Sequence, residues 1–479
     1  MIELALLFFI SKLECMTHFL KNYYMAIIIG ILAFLSYNYN TFMVASNDFF
    51  QKHQLDSEQL VLDGILHGTH DNNHIILGRY TRPEINNQSL YSHELYLKKN
   101  ESGVFNEYRS QFGLQLYLYN FIASKVNCDI KFLQAFSAFL MSLIVSTFFV
   151  IIKREFSDKY AFAFCLPLII SPWVVVFARN LYWGEAFWYL PIIIAFIFGK
   201  KAFSSFKRAA ILLILLFLTF SIKLLCGYEY ITTIAFSSCI PIIYYAAKYR
   251  IKLISMLRLL ILSGITFLIA FIFTIIVHAY SLSTDTNNGY KEIYTTAARR
   301  VAITNSETVI KEFSNNPNNS DGYQEYISSL RSNGFAVVGK YFLMRHFLPW
   351  IDNFDVSPTL SYSTKSYMRQ TKKNQSFQSY CHILSTISPQ ELRDIVIQFV
   401  VKVINYFAFI VFFVFVFIEA LKQRNYISLS VLLSLFATLS WFVLAKGHSY
   451  IHYHMNYVLW YLPFIPLSMI LLVNKGNKI

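Results

Sequence analysis

Runs of about 20 apolar residues recur along the chain, and this is the length that an α-helix needs to cross a membrane. The 479-residue chain is 56% hydrophobic and 14% charged, whereas a soluble domain carries about 25% charged residues. The pattern predicts an all-α polytopic membrane protein. About ten spans are predicted by apolar length, at residues 23–44, 130–152, 160–178, 185–199, 209–224, 229–247, 257–279, 395–418, 427–444 and 456–473.

The basic residues lie mainly in short loops between the apolar runs, although the formal net charge of +14 at first suggests a nucleic-acid partner. Loops 199–208 and 248–258 each carry four Lys and Arg residues and no acid. Loops of this composition face the cytoplasm. The distribution predicts a multi-pass protein of the plasma (inner) membrane, with both termini cytoplasmic. A weak attraction to anionic membrane lipid is a second consequence, and no nucleic-acid partner is indicated.

Two long segments then face outside and divide the chain into three parts. The first part is an N-terminal membrane module, residues 1–279, which includes a large outer loop at 45–129. The second part is the large outer loop 280–394, and the third is a C-terminal segment with three spans, residues 395–479.

Function is expected on the outer face, because the cytoplasmic loops are short and uniformly basic. Ten of the twelve histidines lie in the predicted outer loops, and His278 lies at the outer end of a predicted span. Apolar residues at helical spacing between Leu55 and Leu66 predict a short amphipathic helix on the membrane surface. Residues 112–119 predict a second, tyrosine-rich surface helix.

An acidic motif, Asp56-Ser57-Glu58, opens the first of these helices. One of its carboxylates is suited to act as general base on an acceptor hydroxyl, while the other orients it or helps to hold a divalent cation. No other cofactor is indicated. The structural alternative is a helix N-cap at Asp56 or Ser57.

Two tight outer loops place ionisable side chains at the membrane edge, where such groups are costly and are often functional or paired. Arg179 and Glu185 form the first set, in which Arg179 is a candidate for binding a phosphate and Glu185 for assisting the catalytic acid. Lys223 and Glu229 form the second set, in which Lys223 is a candidate for facing a lipid phosphate. In both sets the alternative is a structural ion pair.

The string from residue 446 to 456 holds His448, His452 and His454 among tyrosines. His448 and His452 are four residues apart and share a helical face, which suits a metal pair. No nearby carboxylate or HExxH motif supports a zinc site, so no metal ligand is assigned. Hydrogen bonding to a phosphate or sugar and packing at the membrane interface are the two other interpretations.

Two arginine-containing pairs lie in the second large outer loop. Arg345-His346 is set in an apolar stretch, and Arg299-Arg300 precedes a polar one. Either pair suits a phosphate, because arginine donates in a bidentate geometry, while the alternative for both is an ordinary solvated charge.

No nucleotide-binding glycine loop, GxSxG or HExxH motif is present. The layout resembles the GT-C superfamily of integral membrane glycosyltransferases, which use polyprenyl- or dolichyl-linked sugar donors. The resemblance rests on a first helix, a large outer loop with two surface helices and an early acidic motif, and a second long outer loop after the seventh helix. The motif is Asp-Ser-Glu where the family has adjacent acids, so the identity of the base stays open.

The resemblance implies roles for individual residues. Asp56 or Glu58 takes the position of the catalytic acid of the first outer loop, and Glu185 takes that of an assisting acid. Arg345 or Lys223 matches the basic groups that hold the lipid phosphate. The reaction implied is an inverting displacement, in which the sugar passes from a lipid-linked donor to a glycan, lipid or protein acceptor outside the membrane.

Two other classes compete with this interpretation. A Wzy-like polymerase of lipid-linked repeat units relies on arginines and not on an acid. A transporter of lipid-linked glycan has broken helices with charges at mid-membrane. The charges of this chain cluster at the predicted outer edge, which favours an enzyme.

Overall fold

The structure of the protein, a computed structural model, is helical over most of the part that it describes. That part comprises residues 23–70, 75–85, 88–126, 129–283, 288–301, 328–330, 332–343 and 389–474.

The N-terminal helices up to the first long bundle are α1 (Tyr23–Tyr39), α2 (Asn47–Lys52), α3 (Leu55–His70), α4 (Ser92–Leu97), α5 (Leu114–Val126) and α6 (Ile130–Glu155). They are followed by α7 (Asp158–Ile169), α8 (Pro172–Arg179), α9 (Ala186–Ala202), α10 (Phe206–Cys226), α11 (Ile231–Lys248) and α12 (Leu253–Leu282). The C-terminal helices are α13 (Gly289–Val301), α14 (Gly334–Leu343), α15 (Pro389–Gln423), α16 (Tyr426–Leu444), α17 (Lys446–Ile451) and α18 (Phe464–Val473), with a 3₁₀-helix at Tyr453–Tyr461.

Among the described residues, five helices are long and apolar enough to cross a membrane, namely α6, α10, α11, α12 and α16. The number rises to seven if each of two bent helix pairs is one span. The chain is therefore an all-α membrane protein, as the sequence predicts. The finer count of about ten spans stays a prediction.

The segment 160–178, which the sequence predicts as one straight span, consists of α7 and α8 with a bend of 69° between them. The first helix ends at Ile169, and Ser171 is the N-cap of the second helix in an extended conformation, with Pro172 as the first helical residue. Proline disfavours the helical conformation of the residue before it but fits the first turn of a new helix. The Ser171 hydroxyl accepts a hydrogen bond from the Val174 N–H at 3.2 Å, which caps that turn.

Both helices predicted within the first outer loop are present, as α3 and α5, and between them lies an antiparallel hairpin that the sequence analysis does not predict. The hairpin pairs β1 (Gly78–Thr81) with β2 (Val104–Glu107). A buried ion pair, Arg82 Nη2 to Asp63 Oδ1 at 3.2 Å, joins the hairpin to α3. Asp63 also accepts the Tyr80 N–H at 3.1 Å, so α3 and the hairpin form one unit.

An aromatic layer packs beneath this unit and fixes the loops that follow α8 and α10. Trp183 stacks on Tyr230 with 6.0 Å between ring centroids, and Tyr230 contacts Trp188 and Trp441 edge-on. All four side chains are buried. The layer brings α9, α11 and α16 together at the end of the bundle where α3 lies.

Candidate functional site

A polar cleft of about 510 Å³ opens between the start of α3, the loops after α8 and α10, and helices α13 and α17. It brings together segments from the beginning, the middle and the end of the chain. Its polar lining includes Asp56, Arg79, Tyr108, Tyr182, Glu229, Arg300, His448 and His452.

Asp56 lines the polar cleft from the first turn of α3. The residue is exposed, and its side chain makes no ion pair or hydrogen bond with the described residues. Its backbone carbonyl accepts a hydrogen bond from Arg79 Nη2 at 2.6 Å, which holds the helix start against the hairpin. Asp56 is therefore positioned through its main chain while its carboxylate stays available.

Glu58, two residues later, does not line the polar cleft and is 2% exposed. Its Oε2 lies 2.7 Å from His93 Nε2, and both carboxylate oxygens accept from Gln134 Nε2 at 3.1 Å. The Leu181 N–H donates to Oε1 at 3.2 Å. This carboxylate thereby ties α3 to α4, to α6 and to the loop after α8.

The electrostatics of Glu58 agree with this structural role. Burial acts to raise the pKa of the Glu58 carboxyl, but the hydrogen bond and charge of His93, the charge of Arg179 and the amide of Gln134 outweigh it. The pKa is held below its ordinary value, so Glu58 is a stabilised anion. Such a group is a poor base, because its lone pairs are already engaged.

Glu229 and Arg300 form an ion pair inside the polar cleft. Glu229 Oε1 lies 3.1 Å from Arg300 Nη2, and both side chains are largely buried. Arg300 also hydrogen-bonds Tyr108, whose hydroxyl accepts from the Tyr182 hydroxyl at 3.3 Å. The guanidinium thus has acceptors on two sides and keeps further N–H donors for a ligand.

The position of Arg300 depends on two contacts made by other residues. Arg109 Nη1 lies 2.8 Å from Glu292 Oε1, which attaches α13 to the chain just after β2. Lys223 Nζ donates to the main-chain carbonyls of Gly227 at 2.5 Å and Glu229 at 2.6 Å. Lys223 is buried and shapes the turn that carries Glu229, rather than lining the polar cleft.

His448, in α17, and His452, the C-cap residue of that helix, line the polar cleft with 4.8 Å between their ring centroids. Their spacing of four residues on one helical turn brings them together, as the sequence predicts. Within the described residues, no group of three or more His, Cys, Asp or Glu side chains is arranged to hold a metal ion. The side chain of His454 lies outside the described part, as do Arg345 and His346 altogether.

Glu185, which is buried, and Arg179, which is partly buried, do not line the polar cleft. Glu185 is 1% exposed, and neither carboxylate oxygen has a hydrogen-bond partner among the described residues. Arg179 donates to Gln134 Oε1 at 2.5 Å and lies over the Phe50 ring. The ion pair between Arg179 and Glu185, which is the structural alternative for this set, is not formed; Arg179 instead supports the Glu58 network.

An apolar groove of about 250 Å³ adjoins the polar cleft between α11, α12, α13 and α16. The two share Ser110 and Arg300. The remaining lining of the groove is almost wholly apolar and includes Ile231, Phe271, Ile275, Ile293, Ala297, Val301 and Leu444. Arg300 therefore lies at the boundary between the apolar groove and the polar cleft.

Sequence reasoning leaves Arg300 open between a phosphate clamp and a solvated charge, and it does not single out Tyr108, Tyr182 or Arg79. The sequence does contain one signal for Arg300. Residues 289–301 are amphipathic, which predicts a helix at this position instead of an irregular loop, and the structure has that helix. No protein-family model, curated protein or solved structure matches the chain. The class that the fold defines is that of an all-α membrane protein.

Proposed function

We propose that the protein is an integral membrane glycosyltransferase of the GT-C type, which moves a sugar from a polyprenyl-phosphate-linked donor to an acceptor hydroxyl. The observation that carries this proposal is the position of Arg300. It joins an apolar groove to a polar cleft that holds Asp56. A lipid-linked sugar has the same order of parts, namely an apolar chain, a phosphate and a polar sugar.

In this arrangement the lipid chain enters the apolar groove, the phosphate meets Arg300 and the sugar lies in the polar cleft. A planar guanidinium suits a phosphate because it donates two parallel hydrogen bonds. With five N–H donors, Arg300 retains Glu229 while it binds the phosphate. Tyr182 and Trp183 line the polar cleft and offer aromatic surface to the sugar.

The chemical step is a displacement with inversion at the anomeric carbon. Asp56 accepts the proton of the acceptor hydroxyl, and the acceptor oxygen forms a bond to the anomeric carbon. The bond from that carbon to the phosphate oxygen breaks, and the lipid phosphate leaves as an anion that Arg300 stabilises. Asp56 is proposed as the base over Glu58, because its carboxylate is unengaged among the described residues and faces the polar cleft.

The membrane arrangement belongs to the same proposal. About ten spans, both termini in the cytoplasm and a location in the plasma (inner) membrane place the polar cleft on the outer face. The acceptor is a glycan, lipid or protein reached from that side.

The test uses the full chain, purified and reconstituted in vesicles with radiolabelled polyprenyl-phosphate hexoses and pentoses and a membrane-extract acceptor. Transfer of label with inverted anomeric configuration is expected. Vesicles with an Asp129→Asn variant serve as the matched control, since Asp129 is an exposed helix cap and asparagine caps equally well. Absence of transfer from every donor of the set, with folded protein in the vesicles, contradicts the proposal.

The second candidate, a Wzy-like polymerase, is favoured by one observation, the arginine inside the polar cleft. It predicts growth of lipid-linked repeat units that stops in Arg300→Gln and continues in Asp56→Asn. The glycosyltransferase predicts loss of product in both variants.

A further inference from the structure

A third cavity, of about 490 Å³, lies at the other end of the bundle, between the starts of α10 and α12. We call it the helix-end cavity; Ser204, Ser205, Ala210, Ser255, Arg258 and Leu262 are among its lining residues. It shares no residue with the polar cleft or the apolar groove. A ligand in the helix-end cavity therefore does not contact the lining of the polar cleft or of the apolar groove.

The rim of the helix-end cavity is cationic and contains no acid. Segments 199–208 and 248–258, which border it, hold eight Lys and Arg residues between them and no Asp or Glu. Arg258 lines the cavity itself and is exposed. Lys207 and Arg208 occupy the first turn of α10, where the helix dipole is also positive. Lys248 is paired with Glu155 of α6, and the remaining basic residues of the two segments leave a net positive charge that favours an anion.

Below the rim, the helix-end cavity becomes apolar. Leu213 lies seven residues from the start of α10, and Leu262 lies nine residues from the start of α12. At 1.5 Å rise per residue these positions are about 10 to 13 Å along their helices. The cavity therefore has a charged entrance with hydroxyl groups and an apolar interior within reach of an acyl chain.

We propose that the helix-end cavity binds an anionic phospholipid of the surrounding membrane. The phosphate of the lipid contacts Arg258 and the hydroxyl of Ser255, while the first part of an acyl chain lies between α10 and α12 against Leu213 and Leu262. A basic pocket between membrane helices is the arrangement expected for an anionic headgroup. An inorganic phosphate makes the polar contacts but leaves the apolar interior unfilled.

The test measures binding of dioctanoyl phosphatidylglycerol and dioctanoyl phosphatidylcholine to the purified full chain in neutral detergent, by native mass spectrometry. The anionic lipid is expected to bind at least about fivefold more tightly. Both lipids carry the phosphate, but only phosphatidylglycerol has a net negative charge, and the attraction of an anionic lipid to one Arg is worth about 1 kcal/mol at a membrane surface. Arg258→Gln is expected to remove this preference. Equal binding of the two lipids, or an Arg258→Gln protein with the preference intact, overturns the proposal.

Two further variants keep the outcome unambiguous. Ala210→Phe fills the helix-end cavity without changing its charge. This variant is expected to weaken binding of the anionic lipid about as much as Arg258→Gln does. Arg424→Gln removes an exposed arginine that does not line the cavity and is expected to leave binding unchanged.

Inorganic phosphate at constant ionic strength should not displace the lipid; full displacement at millimolar phosphate identifies a free-phosphate site and overturns the lipid proposal.

Discussion

The carboxylate of Glu229 lies 3.1 Å from the guanidinium of Arg300, and this pair closes the polar cleft on the side where the apolar groove begins. Glu229 lies just before α11, whereas Arg300 comes near the end of α13. The pair therefore fixes α13 over the cleft. It also keeps an arginine oriented before any anionic ligand arrives, which lowers the cost of binding one.

Replacing Arg300 by glutamine is expected to weaken the binding of the lipid-linked donor about 10- to 100-fold, because a charge-assisted phosphate contact is worth about 1.5 to 3 kcal/mol. The measurement is KM for the donor. Arg300→Gln alone also leaves Glu229 unpaired, so the double variant Arg300→Gln/Glu229→Gln is the control. A double variant with wild-type KM contradicts the phosphate role.

Replacing Glu58 by glutamine is expected to destabilise the protein by about 2 to 4 kcal/mol, since an amide cannot accept all the hydrogen bonds that the carboxylate accepts. The readout is the melting temperature in detergent. Glu94→Gln removes an exposed carboxylate paired with Lys98 and should change stability by less than about 1 kcal/mol. Normal stability of Glu58→Gln combined with loss of transfer would show that Glu58 is the base instead.

The depressed pKa of Glu58 makes a further prediction for stability against pH. The pKa of this carboxyl is lower in the folded protein than in the unfolded chain. Such a group stabilises the fold at pH values above its pKa in the unfolded chain, and this stabilisation is lost as the pH falls toward the pKa of the folded protein. The melting temperature is therefore expected to fall as pH drops below about 4.5. The fall should be smaller in Glu58→Gln, and an identical pH profile for both proteins contradicts the Glu58 network.

Filling the apolar groove is expected to impair donor binding without changing the chemistry. Ala297 lines the groove from α13, and Ala297→Phe should raise KM for a long-chain donor by about tenfold while kcat changes little, as loss of uniform binding requires. Ala247→Phe, at an exposed alanine near the other end of α11, is the matched control. An unchanged KM in Ala297→Phe excludes the groove as the site of the lipid chain.

Much of the helical fold follows from local sequence. Apolar length predicts α6, α10, α12 and α16, and leucine spacing predicts α3, because both signals arise within one element. The bend before Pro172 is not predicted, because spans are predicted from the length of apolar runs, and a single proline does not interrupt the apolar run at 160–178. The strands β1 and β2 have four residues each, which is too short for alternation to stand out.

The arrangement of the candidate site is harder to predict from the sequence than the helices are. The sequence analysis gives both Asp56 and Glu58 a place in the site, but residues two apart on a helix do not share a face, and only Asp56 lines the polar cleft. Which one does so depends on Gln134 and Leu181, distant residues of the chain that engage Glu58. The Glu229–Arg300 pair is likewise set by how α13 packs, and no local pattern encodes it.

The rate of sugar transfer by the Asp56→Asn protein decides whether Asp56 is the general base. Asparagine keeps the size of the side chain and leaves the main-chain contact with Arg79 in place, so the melting temperature should stay near that of the native protein. Loss of a general base is expected to lower kcat by about 10²- to 10⁴-fold. A folded Asp56→Asn protein that transfers sugar at the native rate contradicts the account.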